Sequence, residues 1–213
     1  MKGHSERVPN KNRKPFAGIP LYHHIVKAAS ACKYLDKIYI NTDSEWIIED
    51  VGLHFPHVQI INRPKSLCGD FISMNKILEY DLSQIEGEFF LQTHSTNPLL
   101  KTETIDRAIE TFFENNEKND SLFSVTRWQT RFYWQDGKPV NHNPEELLRT
   151  QDLPPIYEEN SNFYIFTKES FRNANSRRIG LKPYLFEMDP LEAVDIDTEF
   201  NFKIAENIYS LLK

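Results

Sequence analysis

The sequence has little of what marks a membrane protein or a disulfide-stabilised secreted protein. No apolar run approaches the roughly 18 residues of a membrane-spanning helix, and no signal-peptide pattern opens the chain. Only two cysteines are present, Cys32 and Cys68, and neither has the spacing of a metal site. We therefore expect reduced thiols in a cytoplasmic protein that does not bind membranes.

Positive charge is also scarce. The chain has 25 Lys and Arg residues against 31 Asp and Glu residues, which gives a formal net charge of -6. This balance argues against nucleic acid and anionic membranes as partners. With 213 residues, of which 39% are hydrophobic, the chain is long enough to bury a core and suits an α/β domain.

The opening segment, residues 1–14, reverses that sign. Against the single acid Glu6 it carries the cations Lys2, Arg7, Lys11, Arg13 and Lys14. Gly3 and Ser5 permit close approach of a ligand to the backbone. Such a loop suits a polyphosphate, because amides can cradle the phosphates and cations can neutralise them. A solvated basic tail would have the same composition, so charge alone leaves both interpretations open.

Two carboxylates near the other end form a second candidate site. Asp195 and Asp197 alternate with Val194 and Ile196, directly before a helical pattern that begins at Glu199. In an extended segment alternate residues share a face, so the acids point one way and the apolar side chains the other. Paired carboxylates attract a hard cation such as Mg²⁺. The alternative interpretation is a helix-capping Asp beside a surface Asp.

Apolar strand patterns alternate with amphipathic helix patterns along most of the chain. Strands are predicted over residues 37–41, 58–62, 89–93, 122–126, 162–167 and 184–188. Helices are predicted from Pro20, from about Glu45, from Asp70 or Ser73 to Ile85, and over residues 104–117, 168–175 and 199–213. This order predicts right-handed βαβ units and a mostly parallel sheet, with ligands beyond the carboxyl ends of the strands. Polar residues follow those ends, namely Asp43, Gln92, His94 and Arg127.

The alternation fails over residues 128–160. This stretch is rich in aromatic residues, among them Trp128, Tyr133 and Trp134, and Asp136-Gly137 predicts a hairpin turn. It is too long and too aromatic for a plain linker. We predict a small β-arm that covers the site or grips a partner subunit.

Five stretches, taken in order, resemble the motifs of one known family. They are Lys2-Gly3-His4-Ser5 continuing to Pro9, Lys11 and Asn12; Asn41-Thr42-Asp43-Ser44-Glu45; Thr96-Asn97-Pro98-Leu99; Arg149-Thr150-Gln151-Asp152-Leu153-Pro154 with Tyr157, Asn160 and Tyr164; and Asp195-Ile196-Asp197-Thr198 with Phe200 or Phe202. These are similar to motifs of the CMP-sialic acid synthetases, or acylneuraminate cytidylyltransferases. Each alone is a weak signal, but five in register across nearly the whole chain are strong.

The resemblance implies an enzyme with a Rossmann-like, three-layer α/β fold of the nucleotide-diphospho-sugar transferase type. Residues 1–127 and 161–213 would form the nucleotidyltransferase domain, and residues 128–160 the inserted arm. The implied reaction joins CTP to a nine-carbon sugar acid of the sialic-acid type, giving a CMP-sugar for cell-surface polysaccharide biosynthesis and pyrophosphate. The resemblance also implies Mg²⁺ as the cofactor, and a homodimer in which each arm reaches the partner's site.

The resemblance assigns roles to individual residues as well. Lys11, Asp195 and Asp197 would be catalytic, and the two acids would bind the metal. Nucleotide-binding residues would be Lys2, Gly3, Ser5, Lys11, Asn12 and Ser73. Substrate-binding residues would be Gln92, His94, Arg149, Asn160 and Tyr164, with Arg127 or Arg131 from the arm also meeting a carboxylate or phosphate. His94 falls where the family usually has Gln, and Gln92 on the same face could serve instead.

Departures from the family pattern keep other interpretations open. Glu158 and Glu159 replace a cation and its neighbour, and the family's hydrophobic central strand would precede Met1. A missing central strand leaves backbone groups unpaired, so we expect either a chain that starts too late or neighbouring strands that close up. An inactive homologue that acts as a nucleotide-binding regulatory subunit is one alternative. A GT-A type glycosyltransferase, which also uses an Asp-x-Asp motif, is another.

Overall fold

Strands and helices alternate along the chain, as the apolar patterns predict. The computed structural model describes residues 1–2, 8–69 and 71–212. Its strands are β1 (Pro15–Phe16), β2 (Ile19–Pro20), β3 (Tyr39–Thr42), β4 (Gln59–Asn62), β5 (Phe89–Thr93), β6 (Ser121–Trp128), β7 (Ile156–Thr167) and β8 (Pro183–Glu187). Its α-helices are α1 (Leu21–Ala31), α2 (Glu45–His54), α3 (Met74–Gln84), α4 (Thr102–Asn115), α5 (Lys168–Asn173) and α6 (Glu199–Leu211). The predicted elements are confirmed, and their ends differ by a few residues; the largest difference is in β7, which begins at Ile156 rather than Asn162.

Side-chain caps determine where several helices begin. Ser44 accepts a hydrogen bond from the Ile47 amide at the start of α2, and Ser73 caps α3 in the same way. Thr198 and Asn201 form a capping box at the start of α6. These bonds satisfy amides that the first turn of a helix leaves unpaired. The cap at Thr198 therefore ends the extended segment that carries the acid pair.

The larger sheet contains four strands in the order β5-β7-β6-β8. Strand β7 is antiparallel to both β5 and β6, whereas β6 and β8 are parallel. Three of the four strands therefore point in one direction, and β7 alone points the other way. The residues that lengthen β7, 156–159, pair with residues 125–128 at the end of β6.

A bulge interrupts the pairing of β6 with β7. The register shifts between Phe123 and Val125, and Ser161 on the opposite strand has a left-handed φ of 58°. Ser124 fills the irregularity, because its hydroxyl oxygen lies 3.1 Å from the amide nitrogens of both Asn162 and Phe163. Bulges of this kind redirect side chains locally.

Helices cover both faces of the larger sheet and give three layers. Successive residues of β7 alternate between the faces, as a strand requires. Phe163 and Ile165 belong to a core cluster with residues of α1, α2 and α4. Tyr164 and Phe166 belong to another cluster with residues of α3 and α5. A third cluster, built around Ile196, joins α6 to the β1–β2 hairpin region.

Strands β3 and β4 form a separate parallel pair. In the described part of the chain, β3 does not pair with β5, so the neighbouring strands do not close up as one expectation allowed. A cavity of about 1070 Å³ lies between β3 and β5 and is lined by residues of both of these strands. The amino group of Met1 reaches into it and donates a hydrogen bond to the Asn41 carbonyl oxygen. Burial lowers the pKa of this amino group to about 5.

The stretch between β6 and β7 is mostly irregular. An isolated antiparallel bridge joins Tyr133 to Pro139. The predicted turn is confirmed, because Gly137 adopts a left-handed φ of 84° and its amide donates to the Trp134 carbonyl oxygen over 2.9 Å. Across residues 1–2, 8–69 and 71–212, the structure contains no helix whose length and apolar character would let it span a bilayer.

Candidate active site

Two distant parts of the chain meet at the large cavity between β3 and β5. Lys11 from the opening segment and both carboxylates of the closing segment, Asp195 and Asp197, line it. Lys2 and Asn12 lie on the same wall. The cavity also extends beyond the carboxyl end of β5. It therefore combines cations, carboxylates and amide groups where an α/β sheet places its ligands.

Lys11 ties the opening segment to the closing one. Its ammonium group donates a hydrogen bond of 2.6 Å to the Ile196 carbonyl oxygen. The same nitrogen lies 3.7 Å from a carboxylate oxygen of Asp197. The Lys11 side chain is only 13% exposed, so water screens this charge poorly.

Ile196 anchors the acid pair. Its side chain is fully buried in the cluster with α6, and its amide donates to the Thr96 carbonyl oxygen over 2.9 Å. The predicted division of faces is confirmed: Ile196 and Val194 pack into this cluster, whereas Asp195 and Asp197 line the cavity. Burial raises the pKa of Asp195, and the neighbouring charge of Asp197 adds to that shift.

The acid pair has the donor chemistry of a hard-cation site. No group of three or more His, Cys, Asp or Glu residues with metal-binding geometry occurs among the residues that the structure describes. Mg²⁺ is usually held by one or two carboxylates together with substrate phosphates and water. Burial raises the pKa of Asp195 although Thr96 and Lys11 oppose that shift, so a bound cation would stabilise its charged form. Asp195 and Asp197 therefore fit a cation that arrives with a phosphorylated ligand.

The opening segment is held against the end of β5. The Asn12 amide group donates a hydrogen bond of 3.0 Å to the Lys2 carbonyl oxygen and accepts one of 2.7 Å from the Ser95 hydroxyl. These contacts place Asn12 beside the segment that follows β5. Two other predicted nucleotide-binding residues, Gly3 and Ser5, lie outside the described residues.

A polar wall forms where β5 ends. Gln92 and His94 both face the cavity, and the Gln92 amide nitrogen lies 3.2 Å from His94 Nε2. Arg178, from the segment after α5, donates hydrogen bonds to Gln92 over 2.8 Å and to Tyr164 over 2.8 Å. Sequence reasoning missed Arg178, because it lies in a segment without periodicity or a recognisable motif. Its proximity to Gln92 depends on long-range folding.

The environment of this wall keeps His94 neutral. Burial lowers the pKa of His94 to about 4, and the positive charge of Arg178 contributes. His94 Nε2 lies 3.1 Å from a guanidinium nitrogen of Arg178, so Nε2 accepts and the ring proton belongs on Nδ1. Burial also raises the pKa of Tyr164 to about 12, so its hydroxyl stays protonated.

Several predicted site residues do not line the cavity. Ser73 caps α3. Asn160 is buried in the sheet, where its amide group donates to the Thr126 hydroxyl over 3.1 Å. Arg149 is exposed in the arm and forms a two-point ion pair with Asp152, with distances of 2.7 and 3.1 Å. Arg127 and Arg131, which were predicted to meet a carboxylate or phosphate, do not line the cavity either. Arg131 donates to the Leu148 carbonyl oxygen, and Arg127 is exposed.

Comparison with known protein families decides the assignment. The family model described as Cytidylyltransferase matches residues 1–211. The chain belongs to the cytidylyltransferase family. This cytidylyltransferase is therefore an enzyme of the nucleotidyltransferase class, and the resemblance found in its sequence is confirmed.

Named relatives agree with this assignment. Post-translational flagellin modification protein B of Campylobacter coli is 29% identical over 96% of this chain and 90% of its own length. A pseudaminic acid cytidylyltransferase of Campylobacter jejuni is 26% identical over 99% of this chain and 94% of its own length. N-acylneuraminate cytidylyltransferase A of Danio rerio is 29% identical over 96% of this chain but only 48% of its own length, so the chain spans about half of that relative.

Solved structures share the fold of this cytidylyltransferase. A CMP:2-keto-3-deoxy-manno-octonic acid synthetase complexed with CTP has a TM-score of 0.72 and covers 100% of this chain and 97% of its own, at 10% identity. A 4-diphosphocytidyl-2C-methyl-D-erythritol synthase from Anaerococcus prevotii has a TM-score of 0.70 at 12% identity, with 98% and 93% covered. At such identities the likeness shows the fold alone, and it confirms the predicted Rossmann-like nucleotidyltransferase fold.

Proposed function

We propose that this cytidylyltransferase transfers CMP from CTP to a nine-carbon sugar acid of the sialic or pseudaminic type and releases pyrophosphate. The observation that carries the proposal is the cavity in which Lys11 of the opening segment meets Asp195 and Asp197 of the closing segment. The sugar class comes from the names of two relatives that align with nearly the whole chain, an N-acylneuraminate cytidylyltransferase and a pseudaminic acid cytidylyltransferase.

The reaction is a phosphoryl-type displacement. The anomeric hydroxyl oxygen of the sugar acid attacks the α-phosphorus of CTP, and the hydroxyl proton passes to solvent water. A new P–O bond to the sugar forms while the bond between the α-phosphorus and the bridging oxygen breaks, and the electron pair leaves on pyrophosphate. Such reactions depend mainly on positioning the reactants and neutralising charge.

The opening segment supplies positive charge and amides for the nucleotide. Lys11 is held in place by the Ile196 carbonyl oxygen, so its ammonium group stays beside the acid pair without further ordering. Lys2 and Asn12 line the same cavity. Gly3, Ser5 and Ser73 are the further proposed nucleotide contacts.

Asp195 and Asp197 are the proposed Mg²⁺ ligands. Both line the cavity, and both present oxygen donors. When bound, Mg²⁺ offsets charge on the phosphates and on the leaving pyrophosphate. The chain's own contribution is to hold the two carboxylates on one side through the buried Ile196 between them.

The polar wall at the end of β5 is the proposed sugar site. Gln92 and His94 present hydrogen-bonding groups to the cavity, and Tyr164 supports them through Arg178. Arg149 and Asn160 are retained as proposed substrate contacts, although each has partners within the chain. Of the group, Gln92 and His94 have the stronger support.

Two features of the whole protein belong to the proposal. We propose a cytoplasmic enzyme, and a homodimer joined through the arm. The arm exposes the aromatic side chains of Trp128, Tyr133 and Trp134, which a partner subunit could cover. Light scattering of the full chain and of a variant with these three residues replaced by Ser tests the dimer. A monomeric wild type at micromolar concentration would refute it.

Pyrophosphate release tests the reaction itself. The protein is incubated with CTP, MgCl₂ and a panel of sugar acids that includes an N-acylneuraminate and pseudaminic acid. Asp197→Asn should abolish Mg²⁺-dependent turnover and leave thermal stability close to wild type, because this side chain is 45% exposed. Asp136→Asn, in the arm and paired with Lys138, is the matched control and should retain activity. No pyrophosphate with any sugar acid would identify an inactive homologue instead.

A further inference from the structure

Arg178 occupies the polar wall without being part of the nucleotide-binding loop or the acid pair. Its guanidinium group lies 2.8 Å from the Gln92 side-chain oxygen, 3.1 Å from His94 Nε2 and 2.8 Å from the Tyr164 hydroxyl. It also packs against the ring of Tyr164, with the guanidinium carbon 3.6 Å from the ring centroid. Arg178 itself lines the cavity. The positive charge is therefore fixed beside the proposed sugar site.

The backbone around Arg178 is tightly constrained. Asn175 and Ser176, just before it, both have a left-handed φ of 56°, which turns the chain after α5. Two residues after it, Gly180 lies so close to Asp120 that an added Cβ would come within 2.2 Å of the carboxylate. The Gly180 amide donates to the Ser121 hydroxyl over 2.9 Å. These constraints indicate that the direction of Arg178 is set by the fold.

The charge of Arg178 is incompletely balanced within the described residues. Three of its recorded partners, Gln92, His94 and Tyr164, are neutral side chains. Its carboxylate contact is Glu159, which lies 3.6 Å away and is itself 43% exposed. The Arg178 side chain is 16% exposed, so its charge is poorly hydrated. A buried cation of this kind is stabilised most by a carboxylate that enters the same space.

We propose that Arg178 binds the carboxylate of the sugar acid. This inference rests on the proposed function and names the group that would recognise the acid portion of its substrate. A guanidinium group can meet a carboxylate with two parallel hydrogen bonds, which fixes orientation as well as affinity. Gln92 and His94 then contact the same end of the sugar, because both already contact Arg178.

The competing ligand for Arg178 is a phosphate of CTP. Lys2 and Lys11 also line the cavity, and Lys11, 3.7 Å from Asp197, supplies positive charge for phosphates beside the acid pair. Arg63 also lines the cavity, but its guanidinium group is buried and donates to Asn41 over 2.6 Å. Among the described cations, Arg178 is therefore the one that contacts Gln92 and His94. These contacts with the proposed sugar-site residues favour the sugar acid as its ligand.

Steady-state kinetics of the full chain tests the assignment. Arg178→Gln should raise the KM for the sugar acid about 10- to 100-fold, the loss expected for a charge-assisted pair, and change the KM for CTP less than about threefold. Arg178→Lys should restore part of the loss, since it keeps the charge but not the two-point geometry. Arg177→Gln is the matched control, because Arg177 is exposed and donates to the Ala174 carbonyl oxygen.

A ligand-side measurement keeps the test independent of how well the variants fold. The measurement compares two inhibitors that differ only in one group: a non-reacting analogue of the sugar acid that keeps the carboxylate, and the same analogue with a carboxamide in its place. The carboxamide should inhibit wild type about 10- to 100-fold less tightly than the carboxylate. The Arg178→Gln variant should not distinguish the two. Equal inhibition of wild type by both compounds would overturn the inference.

The outcomes separate this inference from the reaction itself. Pyrophosphate release by wild type, together with an unchanged KM for the sugar acid in Arg178→Gln, overturns the role of Arg178 alone. A raised KM for CTP would assign Arg178 to a phosphate and also overturn it. If wild type releases no pyrophosphate with any sugar acid, the proposed function fails, and the role of Arg178 falls with it.

Discussion

Replacing Lys11 with Met should destabilise the protein even without any ligand. Lys11 donates a charge-assisted hydrogen bond of 2.6 Å to the Ile196 carbonyl oxygen and lies 3.7 Å from Asp197. Hydrogen bonds to charged groups contribute about 1.5–3 kcal/mol when one partner is removed. The substitution also leaves Asp195 and Asp197 without this nearby cation. We expect the free energy of unfolding to fall by about 2 kcal/mol, which lowers the Tm by roughly 4–8 °C.

Lys14 provides a matched control in the same opening segment. Its ammonium group forms an ion pair with Glu199 that is shorter than the Lys11 contact with Asp197, but the two side chains are 33% and 52% exposed. Exposed ion pairs contribute only about 0–1 kcal/mol, because water screens them and ordering the side chains costs entropy. We therefore expect Lys14→Met to lower the free energy of unfolding by less than about 1 kcal/mol.

Urea unfolding at two salt concentrations separates the two effects. The loss caused by Lys11→Met should persist at roughly 0.5 M NaCl, whereas any loss caused by Lys14→Met should nearly vanish. Equal losses for the two variants would refute the reasoning that burial, rather than contact distance, decides the contribution of a charge. A loss for Lys11→Met that disappears in salt would refute it as well.

Two further predictions concern pH dependence and the bulge between β6 and β7. Burial lowers the pKa of His94 from 6.5 to about 4. Between these two pH values, the unfolded chain therefore binds more protons than the folded chain. The associated stability is fully present above pH 6.5 and is lost as the pH falls to about 4. Urea unfolding of wild type and His94→Gln should therefore show a smaller loss from pH 7.5 to 5 in the variant, and equal losses would contradict the assignment. Ser124→Ala should lower the free energy of unfolding by about 1–3 kcal/mol, because it removes the hydroxyl acceptor of the buried Phe163 amide and one of the two acceptors of the Asn162 amide. The exposed Ser83→Ala should change it by less than about 0.5 kcal/mol, so similar values for both would count against a special role for Ser124.

Most of the fold follows from local patterns in the sequence. Strand β5 was predicted with its observed ends, and Ser73, one of the two predicted starts of α3, is its observed cap. The direction of β7 was not visible, because an apolar run has the same alternation whichever way it crosses the sheet. Its early start is likewise a tertiary effect, since residues 156–159 extend the strand by pairing with β6.

The candidate site was only partly predictable. The acid pair and the cationic opening segment carry their chemistry in their composition, and both line the cavity. Asn160 shows the limit of a motif, because its amide group is used inside the sheet by Thr126. Arg178 shows the opposite limit: its position depends on the turn at Asn175 and Ser176 and on contacts with distant strands. The spacing of residues along the chain predicts neither the hydrogen bond of Asn160 inside the sheet nor the position of Arg178 at the cavity.

The division between β3 and β5 also affects how the molecule opens. In the ranges that the structure describes, strands β3 and β4 share hydrogen bonds with each other, whereas they pack against the larger sheet mostly through apolar side chains around α1, α2 and α4, together with a hydrogen bond from Asn41 of β3 to Asp81 of α3. Apolar contacts lack the directionality of a strand ladder, so the β3–β4 pair can unfold as a cooperative unit of its own. We therefore expect the amide protons of the β3–β4 pair to exchange with solvent through an opening that costs less free energy than the opening that exposes the amides at the centre of the β6–β7 pairing. The proposed nucleotide cavity is thus bordered on one side by the strand pair that we expect to open first.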